Sequence, residues 1–286
     1  MNPTVQAFFH EPTFTVSYLV IDPASRKAAI IDPVLDFDAK SGRTGRKSAD
    51  SILAAAARSG AEITWILETH VHADHLSAAA YLKEKTGGLT GIGGAVSDVQ
   101  RFFKPVFNAT DFEPDGRQFD RLFADGDRFA IGGLDAQVMH TPGHTPACVS
   151  YLIGDAVFVG DTLFMPDYGT ARCDFPGGSA RKLYRSIRRL LALTPETRMF
   201  LCHDYKAPGR DLFVWETTVA IQCAKNLHIR DGIEEAEFVA MREARDKTLD
   251  MPALIIPSIQ INMRAGQMPA ADSNGTVYLR LPLDRL

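Results

Sequence analysis

The sequence predicts a mixed α/β layered sandwich, and two kinds of local pattern carry this prediction. The apolar stretches Cys148–Ile153 and Ala156–Val159 flank the two-residue turn Gly154-Asp155, which is typical of a β-hairpin. Strand–loop–helix units alternate with such hairpins, and this alternation favours sheets that are covered by helices. The 286 residues contain no internal repeat. We therefore expect one domain, with a core of about residues 1–210 and a C-terminal extension of helices and strand over about residues 211–286.

The first half of the chain predicts a hairpin followed by one strand–loop–helix unit. Ser48 is a typical helix N-cap, and Gly60 stands where a helix is expected to stop. The polar stretch before Ser48 has no periodicity and two glycines, so we expect a loop there. The predicted elements are strands at Phe14–Asp22 and Ala28–Pro33, a loop at Asp36–Lys47, a helix from Ser48 to Ser59, a strand at Ile63–Thr69 and a helix at Leu76–Thr86.

The second half repeats the same kinds of element. A strand runs into the sequence TPGHT, the hairpin follows, and a helix then precedes another strand. From Trp215 onward we expect two helical stretches, of which residues 234–250 are Glu-rich and predict an exposed helical face. The other predicted elements are strands at Ala136–His140 and Met199–Cys202 and a helix at Ala180–Leu193.

Composition and charge exclude two classes of partner. The chain has 45% hydrophobic and 23% charged residues, as ordinary globular proteins do. A formal net charge of -4 provides no basic field that would attract nucleic acid or anionic lipid. No apolar run approaches the roughly 20 residues that span a bilayer, and the N-terminus lacks a secretory pattern. Because the four cysteines form no CxxC pair, we expect reduced thiols and a cytoplasmic protein.

The segment HVHADH, residues 70–75, carries three imidazoles and a carboxylate directly after a predicted buried strand. Such a set is costly to bury without a partner. His70 and His72 lie two residues apart in extended chain, so both side chains can face the same side. The ends of strands in an α/β protein gather at one edge of the sheet, which predicts a metal site there. Three later strand ends offer further ligands, namely His144, Asp161 and His203.

The pattern HxHxDH, followed by TPGHT, GDT and a later strand-end histidine, resembles the metallo-β-lactamase superfamily in order and spacing. The resemblance implies the four-layer αββα sandwich of that superfamily, with the metal at one edge of its sheets. It does not select a reaction, because the same fold carries thioester, lactam, phosphodiester and redox chemistry.

A narrower resemblance covers most of the chain. The segments GDTLFMPDYGTARCDFPGGSARKLYRSI, LCHDYKAPGR and INMRAG are similar to persulfide dioxygenases, and to bacterial β-lactamase-like hydrolases of hydrogen sulfide detoxification. This resemblance implies oxidation of glutathione persulfide by O₂ to sulfite and glutathione, and makes a homodimer an expectation. It places one Fe(II) per chain on His70, His144 and Asp161, the two-histidine, one-carboxylate set that suits non-haem iron. Four residues would then orient the ligands or move protons: His72, Asp74, His75 and His203.

Two alternatives stay open. All seven residues needed for a dinuclear zinc site are present, so the alternative enzyme is a zinc hydrolase of glyoxalase II type that acts on glutathione thioesters. A non-enzymatic sensor of sulfide or persulfide, or a partner-binding protein, would need a defective site, and no metal-ligand position is lost.

Several side chains are candidates for contact with substrate. Arg172 follows Asp161 closely, and a guanidinium can bind a glutathione carboxylate with two hydrogen bonds. The other interpretation of Arg172 is a surface ion pair with Asp174. Tyr205 could give its hydroxyl to the substrate or pack in the core. Arg264 and Lys206 are further candidates for substrate binding. The predicted catalytic residues are Asp74, His75, Arg172 and Tyr205.

Cys173 follows Arg172 directly in the chain. Some members of the persulfide dioxygenase family have a cysteine in a GCGR stretch before this arginine, where this chain has Gly169-Thr170-Ala171. We therefore expect no thiol role from that position, and for Cys173 a free, half-buried thiol is the commoner outcome.

Overall fold

A computed structural model describes residues 2–285, which form fifteen strands and seven α-helices. The strands are β1 (Thr4–His10), β2 (Thr15–Ile21), β3 (Lys27–Ile31), β4 (Val34–Asp38), β5 (Arg43–Gly45), β6 (Glu62–Leu67), β7 (Leu76–Ser77), β8 (Leu89–Gly93), β9 (Arg121–Phe123), β10 (Arg128–Ile131), β11 (Leu134–His140), β12 (Val149–Ile153), β13 (Ala156–Phe158), β14 (Arg198–Phe200) and β15 (Glu216–Thr218). The helices are α1 (Lys47–Arg58), α2 (Ala79–Thr86), α3 (Val96–Val106), α4 (Ala180–Leu191), α5 (Val219–Lys225), α6 (Glu235–Asp246) and α7 (Ile255–Asn262).

Two six-stranded sheets form the two inner layers. The first has the strand order β1-β2-β3-β6-β8-β9 and the second β10-β11-β12-β13-β14-β15. Their facing sides share one apolar core, in which Tyr18 of β2 packs edge-on against Phe158 of β13 and Phe200 of β14. The Tyr18 hydroxyl donates a hydrogen bond to Leu201 O (2.5 Å), so this buried phenol also ties the two sheets together.

Helices cover the outer face of each sheet. Ile52 and Ala55 of α1 pack on the first sheet, and Leu183 and Ile187 of α4 pack on the second. The α4 helix begins after Ser179, whose hydroxyl accepts a hydrogen bond from Lys182 N (3.3 Å). The order of layers is therefore helix, sheet, sheet, helix, and the predicted αββα fold class is confirmed.

The predicted loop at residues 36–47 is wrong, because the structure has the paired strands β4 and β5 there. Asp38 makes the turn between them by accepting hydrogen bonds from Lys40 N and Ser41 Oγ. The cap predicted for Ser48 is also wrong. Helix α1 begins at Lys47, and the carboxylate of Asp36 accepts hydrogen bonds from both Ser48 N (2.9 Å) and Ser48 Oγ (2.7 Å). The side chain of Asp36, which is distant in sequence, thus accepts a hydrogen bond from a backbone N–H group in the first turn of α1, where no partner exists within the helix.

Helix α6 has the exposed face predicted for residues 234–250, on which Glu237 and Glu243 lie, and an opposite face that packs against the protein. Its Phe238, Arg242 and Asp246 are buried, and Arg242 Nε donates a hydrogen bond to Asp246 Oδ1 (2.8 Å). Helix α7 contributes Ile261 to the core beneath the first sheet. The division into a core and an extension near residue 210 stays a prediction. Within residues 2–285, no helix combines the length and the apolar character needed to cross a membrane.

Asp22 forms a contact between the sheets that is sensitive to acid. Its carboxylate accepts hydrogen bonds from Ser25 Oγ (2.5 Å), Gly133 N (2.7 Å) and Ala24 N (3.0 Å), and these donors lower the pKa of Asp22 to about 2. A carboxyl group whose pKa is lower in the folded state contributes stability above its unfolded pKa, and that stability is lost as the pH falls through the folded pKa.

We expect Asp22→Asn to remove this contribution from the free energy of unfolding. The variant should be less stable than the wild type near pH 7, and the difference should shrink between about pH 4 and pH 2. Urea unfolding of the metal-free protein across that range measures both curves. A constant difference over the whole range would contradict the assignment.

Candidate metal centre

The loop after β6 carries the first group of metal-site residues, and Asp32 fixes its shape. The Asp32 carboxylate accepts hydrogen bonds from Thr69 N (2.7 Å) and Thr69 Oγ1 (2.9 Å), and lies 2.9 Å from His72 Nε2. Asp32 is 2% exposed, so these contacts are screened from water. The residue after β3 therefore positions the His-rich loop, a role that the sequence analysis did not assign.

Asn262, at the end of α7, also holds this loop. Its Nδ2 donates to His72 O (2.8 Å) and His75 O (2.7 Å), and its Oδ1 accepts from Ser77 N (2.7 Å). Asn262 lies in the INM segment but received no role from the sequence. Its three buried hydrogen bonds join the C-terminal helix to the metal loop.

Replacing Asn262 by alanine is expected to loosen that loop. Three buried backbone groups would lose their partner, so we expect a loss of about 3 kcal/mol in the free energy of unfolding. Metal affinity should fall about tenfold or more, as it does when groups that orient ligands are removed. Chemical unfolding and competition with a metal chelator measure the two effects, with Asn274→Ala on the exposed tail as the matched control. Unchanged metal affinity in Asn262→Ala would show that α7 does not support the site.

His144 and Asp161 come from two strand ends of the second sheet. His144 lies in the loop between β11 and β12, and Asp161 lies in a short 3₁₀ turn after β13. Gly143 has a φ of +147°, and a Cβ there would lie 2.3 Å from Leu183 Cα. Only glycine allows α4 to approach this loop so closely.

The ligand atoms of His70, His144 and Asp161 all lie within 4.8 Å of one another, and all three residues are buried. Thr69 uses its hydroxyl hydrogen on Asp32, so His70 Nδ1, 3.0 Å away, is the donor to Thr69 Oγ1. His144 Nδ1 donates to Arg172 O (2.8 Å). Both rings therefore carry their proton on Nδ1 and present the lone pair of Nε2. His70 Nε2 and Asp161 Oδ1 have no hydrogen-bond partner among residues 2–285, which fits a shared cation.

The remaining metal-type residues surround this triad. His203 Nε2 lies 3.2 Å from Asp161 Oδ1 and 3.4 Å from Asp74 Oδ2, while its Nδ1 is 3.2 Å from Phe14 O. His75 Nδ1 lies 3.3 Å from Asp74 Oδ2. Burial lowers the pKa of His75 to about 4, which favours a neutral ring. A second set of ligand atoms within 4.8 Å consists of His72, Asp74 and His75.

His72 is turned towards two buried carboxylates. Its Nε2 lies 2.9 Å from Asp32 Oδ1 and 3.3 Å from Glu68 Oε2. Burial lowers the pKa of His72, but the two carboxylates outweigh burial and raise it well above its ordinary value. Burial also raises the pKa of Glu68, which accepts a hydrogen bond from the Ser77 hydroxyl.

A cavity of about 370 Å³ opens beside the triad. Asp74, His144 and Asp161 form its metal side, and its wall is largely apolar, with Phe14 and Phe164 among the lining residues. Tyr205 also lines the cavity, and its ring stacks on that of His203 with centroids 5.6 Å apart. Burial, Asp74 and Asp161 raise the pKa of the Tyr205 phenol, which therefore stays protonated.

The two arginines expected to bind substrate lie in different surroundings. Arg172 lines the cavity, but its guanidinium forms the ion pair with Asp174 (2.6 Å) and donates to Asp250 O (2.6 Å). Its clearest contribution to the metal site is the backbone carbonyl that orients His144. Arg264 does not reach this cavity, since it is buried and binds Asp111 through two nitrogens at 2.8 Å.

Two other candidates also lie away from the cavity wall. Lys206 places its Nζ over the Phe213 ring, 4.5 Å from the centroid. The Cys173 side chain is buried, and burial raises the pKa of its thiol, which disfavours the reactive thiolate. Arg245 of α6, which the sequence analysis passed over, is by contrast among the residues that line the cavity.

The chain is similar to several known proteins along most of its length. The family model described as the metallo-beta-lactamase superfamily matches residues 10–203. The chain is similar to a probable metallo-hydrolase of Burkholderia pseudomallei, with 55% identity over 99% of this chain and 100% of that protein. It is 53% identical to a beta-lactamase hydrolase-like protein of Agrobacterium fabrum over 99% of this chain but only 65% of that longer protein. A protein named glyoxylase B2, from Dictyostelium discoideum, is 47% identical over 99% of this chain and 97% of that protein.

Similarity also extends to persulfide dioxygenases. Human mitochondrial persulfide dioxygenase ETHE1 is 27% identical over 93% of this chain and 91% of that protein. The crystal structure of ETHE1 from Myxococcus xanthus superposes with a TM-score of 0.73 and 31% identity, covering 92% of this chain and 100% of that one. The fold, the buried His/Asp cluster and these matches agree. The chain belongs to the metallo-beta-lactamase superfamily of metal-dependent enzymes.

Proposed function

We propose that the protein is a non-haem iron persulfide dioxygenase that converts glutathione persulfide, O₂ and water into glutathione and sulfite. The outer sulfur loses four electrons and O₂ gains four, so that the reaction needs no other oxidant or reductant. The observation that carries the proposal is the compact set formed by His70, His144 and Asp161. Two imidazoles and one carboxylate suit Fe(II) and leave three positions open, enough for the persulfide sulfur and O₂.

A single metal is favoured by the way the other residues are arranged. A dinuclear site of the superfamily type would need Asp74, His75 and His203 to converge beside Asp161. Within the described part of the chain, these residues do not form one set of ligand atoms within 4.8 Å. His72 is instead held through Nε2 by Asp32. The wider spacing of these residues favours one cation at the triad, while His75 Nε2 and His203 Nε2, which also lack a hydrogen-bond partner among residues 2–285, are the atoms that a second ion would use.

The residues around the triad would have separate roles in the reaction. Bound Fe(II) would supply the redox chemistry towards O₂ that zinc lacks. His144 is oriented by Arg172 O and His70 by Thr69, so both Nε2 atoms are aimed before a metal binds. Phe14 and Phe164 keep much of the cavity wall apolar, which limits water beside the reacting sulfur. The hydroxyl of Tyr205 is a candidate donor to an anionic persulfide sulfur.

The test is a metal and oxygen balance on protein prepared with iron and without air. We expect about one iron per chain, uptake of O₂ that requires glutathione persulfide, and one sulfite formed per O₂ consumed. Protein loaded with zinc is the control and should consume no O₂. Absence of O₂ uptake by the iron-loaded protein would overturn the proposal.

A glyoxalase II-type hydrolase is the second candidate, and two observations favour it. The relative named glyoxylase B2 is 47% identical, and His72, Asp74 and His75 offer a second set of possible ligands. This candidate requires two metal ions per chain and hydrolysis of a glutathione thioester without O₂. Thioester hydrolysis by the protein loaded with two zinc ions, together with no O₂ uptake by the iron form, would establish it instead.

A further inference from the structure

The wall of the cavity carries three guanidinium groups, and two of them are neutralised within the protein. Arg172 pairs with Asp174, and buried Arg242 pairs with Asp246 (2.7 Å) and donates to Thr170 O. Arg245 has no acidic side chain within 4.0 Å of its guanidinium among residues 2–285. Arg245 therefore brings an uncompensated positive charge to the cavity.

The sequence of α6 explains why Arg245 remains unpaired. On a helix, a side chain meets those three and four positions away. For Arg245 these are Met241 and Arg242 before it and Thr248 and Leu249 after it, none of which is acidic. Its neighbour Asp246 is already used by Arg242 and by Cys173 N. No local carboxylate is available to neutralise it.

His228, whose pKa is affected by Arg245, is a neutral neighbour. His228 Nδ1 accepts a hydrogen bond from Thr170 N (3.0 Å), so the ring is uncharged. Burial, together with Arg242 and Arg245, lowers the pKa of His228 to about 4. Among residues 2–285, the only acidic residues that line the cavity are Asp74 and Asp161, which belong to the metal site. The carboxylates of the cavity thus lie at the metal site, whereas the Arg245 guanidinium on α6 has no acidic partner among the described residues.

We infer that Arg245 binds the glycyl carboxylate of a glutathione-based substrate whose sulfur faces the triad. This inference rests on the proposed function for the identity of the substrate. The second carboxylate of glutathione belongs to the γ-glutamyl residue and is bonded to the carbon that carries the ammonium group. An arginine without an acidic neighbour would repel this ammonium group. The glycyl carboxylate has no such neighbour, so it is the better match for a guanidinium. Arg245 thereby takes the role that the sequence suggested for Arg172 and Arg264.

Calorimetric titration of the metal-loaded protein tests the inference without turnover. The probes are S-methylglutathione and its glycyl ethyl ester, which differ only in the proposed contact. The wild type should bind the free acid about tenfold more tightly than the ester. In Arg245→Gln the affinity for the acid should fall about tenfold, and the preference for the acid should disappear. Lys247→Gln, a change at an exposed cation near the same helix end, should behave as the wild type does.

Other results would overturn the inference. These are no binding of S-methylglutathione by the wild type, equal wild-type affinity for acid and ester, or a preference that survives Arg245→Gln. A loss for both probes alike, accompanied by a lower melting temperature, would assign Arg245 a structural role instead. Failure of the proposed function is distinguishable, because it would appear as absent O₂ uptake while the Arg245-dependent binding of S-methylglutathione persists.

Discussion

Replacing His144 by alanine is expected to produce the largest loss of function of any single change considered. His144 supplies one of the two Nε2 atoms in the triad, and its ring is already oriented by Arg172 O. Without it, His70 and Asp161 remain as a two-ligand site. Iron bound per chain should fall below about a tenth of the wild-type value, and O₂ uptake should fall about a thousandfold. Metal analysis after gel filtration and an oxygen electrode measure the two quantities.

His140→Ala is the matched control for this prediction. His140 is the last residue of β11, directly before the connection that carries His144. Its Nε2 lies 2.9 Å from Pro146 O, and among residues 2–285 it is not part of any set of possible metal ligands. The control variant should keep its iron. If His144→Ala also retained a full complement of iron with wild-type turnover, the assignment of the triad would be wrong.

Replacing Asp32 by alanine is expected to cause the largest loss of stability. The change removes the buried acceptor of Thr69 N and of the Thr69 hydroxyl, and it leaves His72 Nε2 with Glu68 Oε2 alone, 3.3 Å away. Asp32 also has a φ of +49°, a conformation that alanine adopts less readily than aspartate. Removing one partner of a buried charged pair costs about 3–5 kcal/mol of the free energy of unfolding. Because Asp32 shapes the metal loop, the variant should also bind iron more weakly.

Urea unfolding of metal-free and iron-loaded protein separates these two effects. Asp38→Ala is the control, since Asp38 is exposed and accepts hydrogen bonds only within its own turn. That control should lose about 1 kcal/mol or less. A similarly small loss for Asp32→Ala would mean that the His-rich loop holds its shape without the carboxylate.

The sequence was sufficient for those parts of the site that follow from local pattern. His70 follows an apolar strand, and His144 and Asp161 follow two others, so their convergence could be expected from the way strand ends meet at a sheet edge. The αββα layers could be expected from the alternation of hairpins and helices together with the family resemblance. Helix α4 begins at Ala180 as predicted, because Ser179 is a local cap.

The parts that could not be predicted depend on contacts between residues far apart in the chain. Asp36 takes over the capping of α1, and Asn262 ties a C-terminal helix to the metal loop. Neither segment has a sequence pattern that predicts a partner so far away in the chain. The sequence likewise does not predict which of Arg172 and Arg245 forms an ion pair. Which guanidinium is free depends on where Asp174 and Asp246 lie after folding, so only the folded structure distinguishes the two arginines.

Anomalous diffraction tests the central claim most directly. Crystals of protein loaded with Fe(II) without oxygen would be measured above and below the iron absorption edge. We predict one iron peak, with His70 Nε2, His144 Nε2 and an Asp161 oxygen each at about 2.0–2.3 Å, the range of metal–ligand bonds in such sites. Two metal peaks, the second bound by Asp74, His75 and His203, or a single peak away from the triad, would contradict it.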